Sequence, residues 1–406
     1  MPLILCLMDN IDEIVSQSSI NLNDTETAFS YRSNEELQFS YFIFRMFKNP
    51  SLVSFFSSMG LLALKLRLPI DWIIKKTIFR QFCGGTSIKD CESTIQKLGE
   101  ANVGSILDYS VEAAQKETDF DNTRDELIKI LKMSKGNSYI PFGCLKMTGM
   151  ARHDILEKVS AGKELKPNEK ELYLKALKRL ETVCQTAYDS DTRLFIDAEE
   201  TWIQVAIDKM AEAMMIKFNK KKPIIYTTLQ MYRHDRIDYL NQLINQAKTQ
   251  GWKLGVKFVR GAYLEKENLR AKEKGDPTPM QADKKSTNRD YNLALQISVE
   301  NLDTISICAG SHNDKSCLYL TELMKSNKIA KDFKGIYFSQ LYGMSDNISF
   351  VLGAEGYNVT KYLPYGPVRF TTPYLIRRAQ ENTSVAGQTG KELNIITQEI
   401  KRRKTA

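Results

Sequence analysis

The chain has 406 residues, 42% of them hydrophobic and 26% charged, an ordinary composition for a globular protein with a large core. Its net charge of +8 suits nucleic acid, an anionic membrane surface, an anionic substrate or a plain solvated surface, so charge alone selects no function. Three histidines, no two of them at ligand spacing, argue against a histidine-built metal site, and we expect no metal.

Cysteine usage and the N-terminal sequence bear on the compartment. The seven cysteines form no C-x-x-C pair and lie mostly among apolar residues, which is typical of reduced, buried thiols. The first forty residues are acidic and fit neither a secretory signal nor an arginine-rich transit peptide. The apolar stretch 51–68 is interrupted by Lys65 and Arg67, which favours a core or interfacial helix over a membrane span. We expect a cytoplasmic protein, with peripheral association at the inner face of the cytoplasmic membrane left open.

In chain order, residues 31–81 have the pattern of short amphipathic helices that end at a turn over 82–86. Beyond this turn, short β-rich runs alternate with longer helical stretches, as βα units on a parallel sheet do. The predicted strands cover 105–109, 139–146, 193–198, 224–229, 254–259, 304–309, 335–339 and 358–363. The predicted helices between them include 201–219, 233–250, 284–301, 314–326 and 345–352.

Eight such units favour an α/β fold closed into a (β/α)8 barrel over an open doubly wound sheet. No G-x-G-x-x-G follows a predicted strand, which argues against a Rossmann dinucleotide site. The segment 121–191 is longer than one connection requires and predicts a helical insertion. We expect a helical segment over 1–80, the barrel over 81–390 and a basic tail over 391–406, whose last six residues, Lys-Arg-Arg-Lys-Thr-Ala, form a solvated, frayed end.

Polar side chains stand at the C-terminal ends of six predicted strands, where the active site of such a barrel lies. Taken singly, each is explained as a strand-end cap or turn residue, but their convergence favours a binding or catalytic site. They are Asp197 followed by Glu199 and Glu200, Gln230, Lys257 with Arg260, the run 311–313, the run 340–344, and Tyr362.

The helix predicted after the last strand carries a pair of arginines. Tyr374, Arg377, Arg378 and Glu381 are spaced i, i+3, i+4 and i+7, so they share one helical face. Two guanidinium groups beside a tyrosine can hold a carboxylate through charge-assisted hydrogen bonds. The alternative is a solvated surface helix with an ordinary Arg to Glu pair.

Seven short motifs follow one another between Phe82 and Asn382, and in this order they resemble the proline dehydrogenase family. The motifs are Phe-Cys-Gly-Gly (82–85), Leu-Asp-Tyr-Ser-Val-Glu (107–112), Asp-Ala-Glu-Glu-Thr (197–201), Lys-Phe-Val-Arg-Gly-Ala-Tyr-Leu-Glu (257–265), Ser-His-Asn (311–313), Gln-Leu-Tyr-Gly-Met (340–344) and Pro-Tyr-Leu-Ile-Arg-Arg-Ala-Gln-Glu-Asn (373–382).

The resemblance implies a distorted barrel with FAD across its strand ends and the last helix over the barrel mouth. The implied reaction is oxidation of L-proline to Δ1-pyrroline-5-carboxylate, with a hydride passing from proline C5 to flavin N5 and the electrons going on to a quinone. The implied FAD contacts are Gln230, Lys257, Val259, Gly261, Ala262, Ser311, His312, Asn313 and Glu381.

The resemblance also implies the substrate contacts and the catalytic set. Lys146, Arg377 and Arg378 would hold the proline carboxylate, and Asp197 would orient part of that clamp. The substrate ring would be walled by Tyr263, Leu341, Tyr362 and Tyr374. The implied catalytic residues are Lys146, Asp197, Tyr362, Tyr374, Arg377 and Arg378.

Two departures limit what can be carried over from the family. Lys257 stands where the long bifunctional relatives have arginine, so their flavin potential does not transfer. No aldehyde dehydrogenase half follows and no ribbon-helix-helix segment precedes the barrel, so we expect a monofunctional enzyme without a nucleic-acid partner. Its product would be released to a separate pyrroline-5-carboxylate dehydrogenase.

Three alternatives stay open. Hydroxyproline dehydrogenase would use the same scaffold, although the Tyr362 phenol leaves little room for a 4-hydroxyl. A non-enzymatic basic module would explain the net charge but not the residues at the strand ends. Apolar and basic residues alternate over 41–80, which suits an anionic membrane surface or, alternatively, helices that cap one end of the barrel.

Overall fold

The eight strands form a closed parallel barrel in chain order, which confirms the predicted fold class. The computed structural model describes residues 11–66, 68–110, 116–384 and 388–405. The predicted strands differ from the observed ones by at most three residues at either end. The strands are β1 (Val103–Tyr109), β2 (Phe142–Leu145), β3 (Arg193–Ile196), β4 (Ile225–Gln230), β5 (Leu254–Val259), β6 (Ile305–Gly310), β7 (Ile336–Leu341) and β8 (Val359–Tyr365).

Helices connect the strands and precede β1. Those before β1 are α1 (Ile11–Ser16), α2 (Thr25–Phe29), α3 (Asn34–Phe47), α4 (Pro50–Lys65), α5 (Asp71–Ile74), a π-helical turn (Lys75–Phe79), α6 (Arg80–Phe82) and α7 (Ile88–Glu100). The others are α8 (Glu117–Ser134), a 3-10 turn (Met147–Gly149), α9 (His153–Ser160), α10 (Pro167–Asp189), α11 (Thr201–Phe218), α12 (Arg236–Gln250), α13 (Leu264–Lys274), α14 (Lys284–Val299), α15 (Asp314–Ser326), α16 (Asp346–Ala354), α17 (Val368–Ser384) and α18 (Gln388–Thr405).

Contacts divide the described residues into two compact units, and this division differs from the boundaries predicted at 80 and 390. The β1/β8 unit comprises residues 20–110 and 340–405. The β2–β7 unit comprises residues 11–19 and 116–339. The segment from residue 20 to β1 and the helices after β8 therefore belong to one unit.

Aromatic rings fill the core of the β2–β7 unit at the N-terminal ends of its strands. Phe142 stacks on Phe195 with ring centroids 4.3 Å apart, and Tyr226 and Tyr337 meet Phe142 edge-on. Gly255 makes room for this cluster, because a Cβ there would lie 2.6 Å from the Tyr226 ring. Arg193, the first residue of β3, lies over this cluster, with its guanidinium 5.4 Å from the centroid of the Phe142 ring.

A buried carboxylate organises the β1/β8 unit. Asp346, 3% exposed at the start of α16, accepts a hydrogen bond from the Tyr31 hydroxyl at 2.8 Å. Its carboxylate also pairs with Arg32 and with the fully buried Lys361 of β8, each at 2.8 Å. Because both cations need this anion once they leave water, the N-terminal segment is tied to β8.

The predicted frayed tail is wrong, because the C-terminal residues form α18. Glu399, which is fully buried, pairs with Arg402 at 2.8 Å and with Arg403 at 2.7 Å. Arg403 also donates to the backbone carbonyl of Phe29 at 2.7 Å. The two arginines of the charge run thus have internal partners, while Lys401 and Lys404 are exposed.

Two further predictions concern the insertion and the cysteines. The segment 121–191 contains most of α8, then β2, α9 and the long helix α10.

Six cysteines are buried thiols outside any disulfide, as predicted, and Cys6 lies outside the described residues. Within the described part of the chain, none of the helices combines the length and apolarity needed to cross a membrane.

Gly343 provides a test of the packing in the β1/β8 unit. Its φ is +81°, and a Cβ there would lie 2.0 Å from the backbone oxygen of Gln81, whose side chain donates to the Gly343 carbonyl at 2.8 Å. Gly343→Ala should lower the free energy of unfolding by about 3 kcal/mol through backbone strain and overpacking. The measurement is urea unfolding. The control is Gly356→Ala, where φ is +89° but no atom lies within 4 Å, so only about 1 kcal/mol should be lost. Equal losses in the two variants would refute the close approach.

Candidate active site

An ion pair lies inside the β2–β7 unit near the carboxyl ends of its strands. Lys257 of β5 is 5% exposed and donates a hydrogen bond to the carboxylate of Asp197, the residue that follows β3. Thr228 of β4 donates to the same carboxylate at 3.4 Å. The ammonium group lies 4.8 Å above the centroid of the Phe195 ring, so it stands on the aromatic core.

Both members of this pair keep their charges. Burial opposes ionisation of Asp197, but Lys257 and Lys146 more than offset it and hold the pKa of Asp197 below its ordinary value. Burial likewise opposes the charge on Lys257, yet Asp197 keeps the pKa of Lys257 above its ordinary value. Lys146, the residue after β2, is therefore within electrostatic reach of Asp197. The structure thus brings together three predicted site residues from three strands.

A second buried carboxyl group, Glu199, lies in the same loop as Asp197. It accepts hydrogen bonds from the backbone amide and the hydroxyl of Thr148, the former at 3.0 Å. Burial raises the pKa of Glu199 to about 7, partly countered by the Thr148 hydrogen bonds. The predicted residue Gln230 donates to the Glu199 carbonyl at 2.7 Å. The sequence places Glu199 among the polar strand-end residues but assigns it no role, because spacing does not reveal how deeply a strand-end carboxyl is buried.

The turns after β4 and β5 pack directly on each other. The Met231 amide donates to the Val259 carbonyl, and the Tyr232 amide donates to the Arg260 carbonyl, both at 2.8 Å. Gly261 has φ +130°, and a Cβ there would lie 2.5 Å from the Tyr232 ring. Of the predicted site residues in this turn, Gly261 and Ala262 are exposed and Tyr263 is half-buried.

Arg260 is a half-buried cation whose guanidinium is surrounded by neutral groups. Its guanidinium donates to Asn288 at 2.8 Å, to Ser311 at 2.6 Å and to Ser316 at 2.8 Å. Within the described residues it has no carboxylate partner, and burial lowers its pKa. Such a cation favours an anionic ligand.

A second arginine at the strand ends has a spare donor. Arg233, after β4, is 6% exposed and pairs with Asp235 through Nε and Nη2. Its Nη1 is buried and has no hydrogen-bond partner among the described residues. Arg233 is not a predicted site residue, and a single arginine in a turn gives no sequence signal of a buried, spare N–H.

The Ser-His-Asn run has a clear structural role. Asn313 is the N-cap of α15 and accepts from the Ser316 amide at 3.0 Å. The Ser311 hydroxyl accepts from the Asn313 amide at 3.1 Å and from Arg260. His312 is half-buried between them. The strand-end cap explanation therefore accounts for the Asn313 side-chain oxygen.

The remaining predicted residues lie in the β1/β8 unit. Leu341 ends β7, and Tyr362 of β8 is 9% exposed. On α17, the Arg378 guanidinium lies 5.5 Å from the centroid of the Tyr374 ring. Arg377 and Arg378 are both half-buried. The main packing partners of α17 are α4, α5 and the π-helical turn. The side chain of Glu381 lies outside the described residues.

The sequence from residue 91 to 391 matches the family model described as proline dehydrogenase. The chain belongs to the proline dehydrogenase family. Proline dehydrogenase 1 of Dictyostelium discoideum is 30% identical, with 94% of this chain and 74% of that protein covered. Hydroxyproline dehydrogenase of Xenopus laevis is 29% identical, with 96% and 91% covered.

A solved structure supports the fold of this proline dehydrogenase family member. Proline utilization A from Bdellovibrio bacteriovorus, inactivated by N-propargylglycine, matches with a TM-score of 0.71 at 19% identity. The match covers 96% of this chain but spans only 42% of that protein's length. At this identity the likeness concerns the barrel fold alone.

The raised pKa of Glu199 predicts a pH-dependent stability. The folded state holds the Glu199 proton more tightly than the unfolded state, in which the pKa is the ordinary 4.5. The contribution of protonated Glu199 to the free energy of unfolding is therefore full below about pH 4.5 and is lost as the pH rises through about 7. Glu199→Gln, which stays neutral, should be more stable than wild type by about 3 kcal/mol at pH 8 but not at pH 4.5. Urea unfolding at both pH values measures this. Glu171→Gln, on the exposed surface of α10, is the control and should follow wild type. A Glu199→Gln curve parallel to wild type would disprove the buried proton.

Proposed function

We propose that the chain is an FAD-dependent enzyme that oxidises L-proline to Δ1-pyrroline-5-carboxylate and passes the electrons to a quinone. The observation that carries the cofactor assignment is the pair of arginines after β4 and β5, of which Arg233 is buried and Arg260 half-buried. Arg233 has a spare buried N–H, and Arg260 has only neutral partners. Two such guanidinium groups suit the diphosphate of a dinucleotide.

The residues of the β2–β7 unit fit the rest of the cofactor. When bound, FAD supplies the electron acceptor for the pair removed from the C5–H bond. Lys257 remains protonated because the Asp197 carboxylate stabilises its positive charge. Its ammonium group therefore offers a fixed positive charge to a negative charge that develops nearby. The proposed cofactor contacts are Gln230, Lys257, Val259, Gly261, Ala262, Ser311, His312, Asn313 and Glu381.

Arg377 and Arg378 are proposed to bind the proline carboxylate. A guanidinium fork matches a carboxylate, and the Tyr374 ring next to Arg378 restricts where that fork points. Fixing the carboxylate orients C5, and buried aromatic walls keep water out, so positioning supplies much of the rate. Tyr362 and Leu341 are the proposed ring contacts of this unit. In the same proposal, Lys146 contacts the proline carboxylate, Asp197 orients part of this clamp, and Tyr263 contacts the substrate ring.

Hydroxyproline oxidation is the second candidate, favoured by the Xenopus relative, 91% of whose length is covered. The side chain that argues against it is Tyr362, since a buried phenol opposite C4 would crowd a 4-hydroxyl. The ratio of kcat/KM for L-proline to that for trans-4-hydroxy-L-proline separates the two candidates.

Arg378→Met tests the carboxylate assignment. The variant should raise the KM for L-proline by about tenfold or more, because a charge-assisted hydrogen bond is worth about 1.5 to 3 kcal/mol. Flavin content should be unchanged. The control is Arg369→Met, which removes an exposed arginine from the same helix and should leave KM as it is. Wild-type KM in Arg378→Met, or an equal rise in both variants, would rule out the proposed clamp.

A further inference from the structure

The residue at the N-cap of α12 does not cap the helix. Asp235 precedes Arg236, the first residue of α12, and its side chain accepts no hydrogen bond from the helix backbone. An aspartate in this place ordinarily accepts from one of the first backbone amides, which have no partner within the helix. The Asp235 carboxylate is committed to side chains instead, so these contacts outweigh the cap.

Two arginines share the Asp235 carboxylate, each through two donors. Arg233 donates through Nε at 3.0 Å and Nη2 at 2.6 Å. Arg236 donates through Nε at 2.9 Å and Nη2 at 2.6 Å. Burial opposes ionisation of Asp235, but the two arginines outweigh it and lower the pKa of Asp235 to about 2. Asp235 is therefore ionised at neutral pH, and each guanidinium fork restricts where its carboxylate can turn.

Arg236 is anchored through its third nitrogen by a second buried carboxylate. Its Nη1 donates to Asp208 of α11 at 2.9 Å, and Arg236 and Asp208 are each 6% exposed. Asp208 also accepts from Gln204 at 2.8 Å, and Gln204 accepts from the Glu199 backbone amide at 2.7 Å. Arg236 is therefore fixed to α11 and, through α11, to the loop that follows β3.

This arrangement leaves one nitrogen of Arg233 for a ligand. Asp235 occupies Nε and Nη2 of Arg233, whereas Nη1 is buried and has no hydrogen-bond partner within the described part of the chain. The backbone is fixed as well, since Arg233 forms an antiparallel bridge with Met280 and the Tyr232 carbonyl accepts from the Gln281 amide at 2.6 Å. A buried N–H without a partner costs free energy, so it indicates a group that binds there.

We propose that Arg236, held by Asp208, is a positioning residue for Arg233. It fixes the Asp235 carboxylate on Nε and Nη2 of Arg233, so that Nη1 stays open for the diphosphate of FAD. Without Arg236, the Asp235 side chain, which is 41% exposed, can rotate and occupy Nη1 as well. This inference rests on the proposed function, in which Arg233 binds that diphosphate. The alternative is an ion cluster that only stabilises the fold, whose loss would not act through Arg233.

A double-mutant cycle on FAD affinity tests the proposal. Arg236→Met with Asp208→Asn, called the neutral pair, removes one charge of each sign and leaves no unpaired ion in the core. The neutral pair should raise the Kd for FAD at least about fivefold, and Arg233→Met alone should raise it about tenfold. Added to Arg233→Met, the neutral pair should change the Kd no further, because it acts only through Arg233. Free FAD after ultrafiltration of the full-length protein at a series of dilutions gives each Kd.

Two further variants complete the experiment. Arg236→Lys keeps a cation but lacks the fork that spans both carboxylates, so it should give a smaller rise in Kd, which Arg233→Met also abolishes. Arg124→Met is the matched control. Arg124 of α8 bridges two carboxylates as well, Asp121 at 3.0 Å and Asp125 at 2.8 Å, and its loss should leave the Kd for FAD unchanged.

Release of FAD requires no turnover, so the result is independent of proline oxidation. A neutral pair with the wild-type Kd would overturn the proposal. An additional rise of equal size in the Arg233→Met background would do the same. Either result leaves the FAD assignment standing, whereas a wild-type protein that retains no FAD would contradict both the proposed function and this inference.

Discussion

A charge buried inside the barrel must have a partner, and in the β2–β7 unit the Lys257–Asp197 ion pair meets this requirement. The cost of removing either ion from water is large enough that the loss of one partner would strand the other. The aromatic cluster of Phe142, Phe195 and Tyr226 closes the core on the N-terminal side of the pair. The ion pair thereby lies on the side of the cluster that faces the carboxyl ends of the strands. Glu199, Arg233 and Arg260 are held there by the same loops.

The β1/β8 unit obeys the same constraint with other residues. Asp346 pairs with Arg32, which precedes β1, and with Lys361, which lies within β8. The helices α2 to α7 belong to the unit that carries α17. This explains why a boundary near residue 80, chosen from the change in sequence pattern, does not coincide with the division by contacts.

Sequence periodicity was sufficient to predict the barrel fold, because few other folds accommodate eight alternations of strand and helix. The observed bounds of β5 and α15 equal the predicted ones. The order of the seven motifs was sufficient to identify the proline dehydrogenase family. Three features could not be predicted. The partner of Tyr31 is Asp346, 315 positions away, and local patterns carry no such pairing. The pKa of Glu199 depends on burial by loops distant in sequence. The exposure of Phe55 on α4, 62%, is not decided by helical periodicity, since a moment defines an apolar side but not its partner.

The central claim is that L-proline reduces a flavin bound by this chain. The most direct measurement is the visible spectrum of the purified protein with FAD, titrated anaerobically with L-proline and, separately, with trans-4-hydroxy-L-proline. The account predicts a yellow protein whose flavin absorbance is bleached by L-proline at lower concentration than by the hydroxylated analogue. A protein that retains no flavin, or a flavin spectrum that L-proline leaves unchanged, would contradict it.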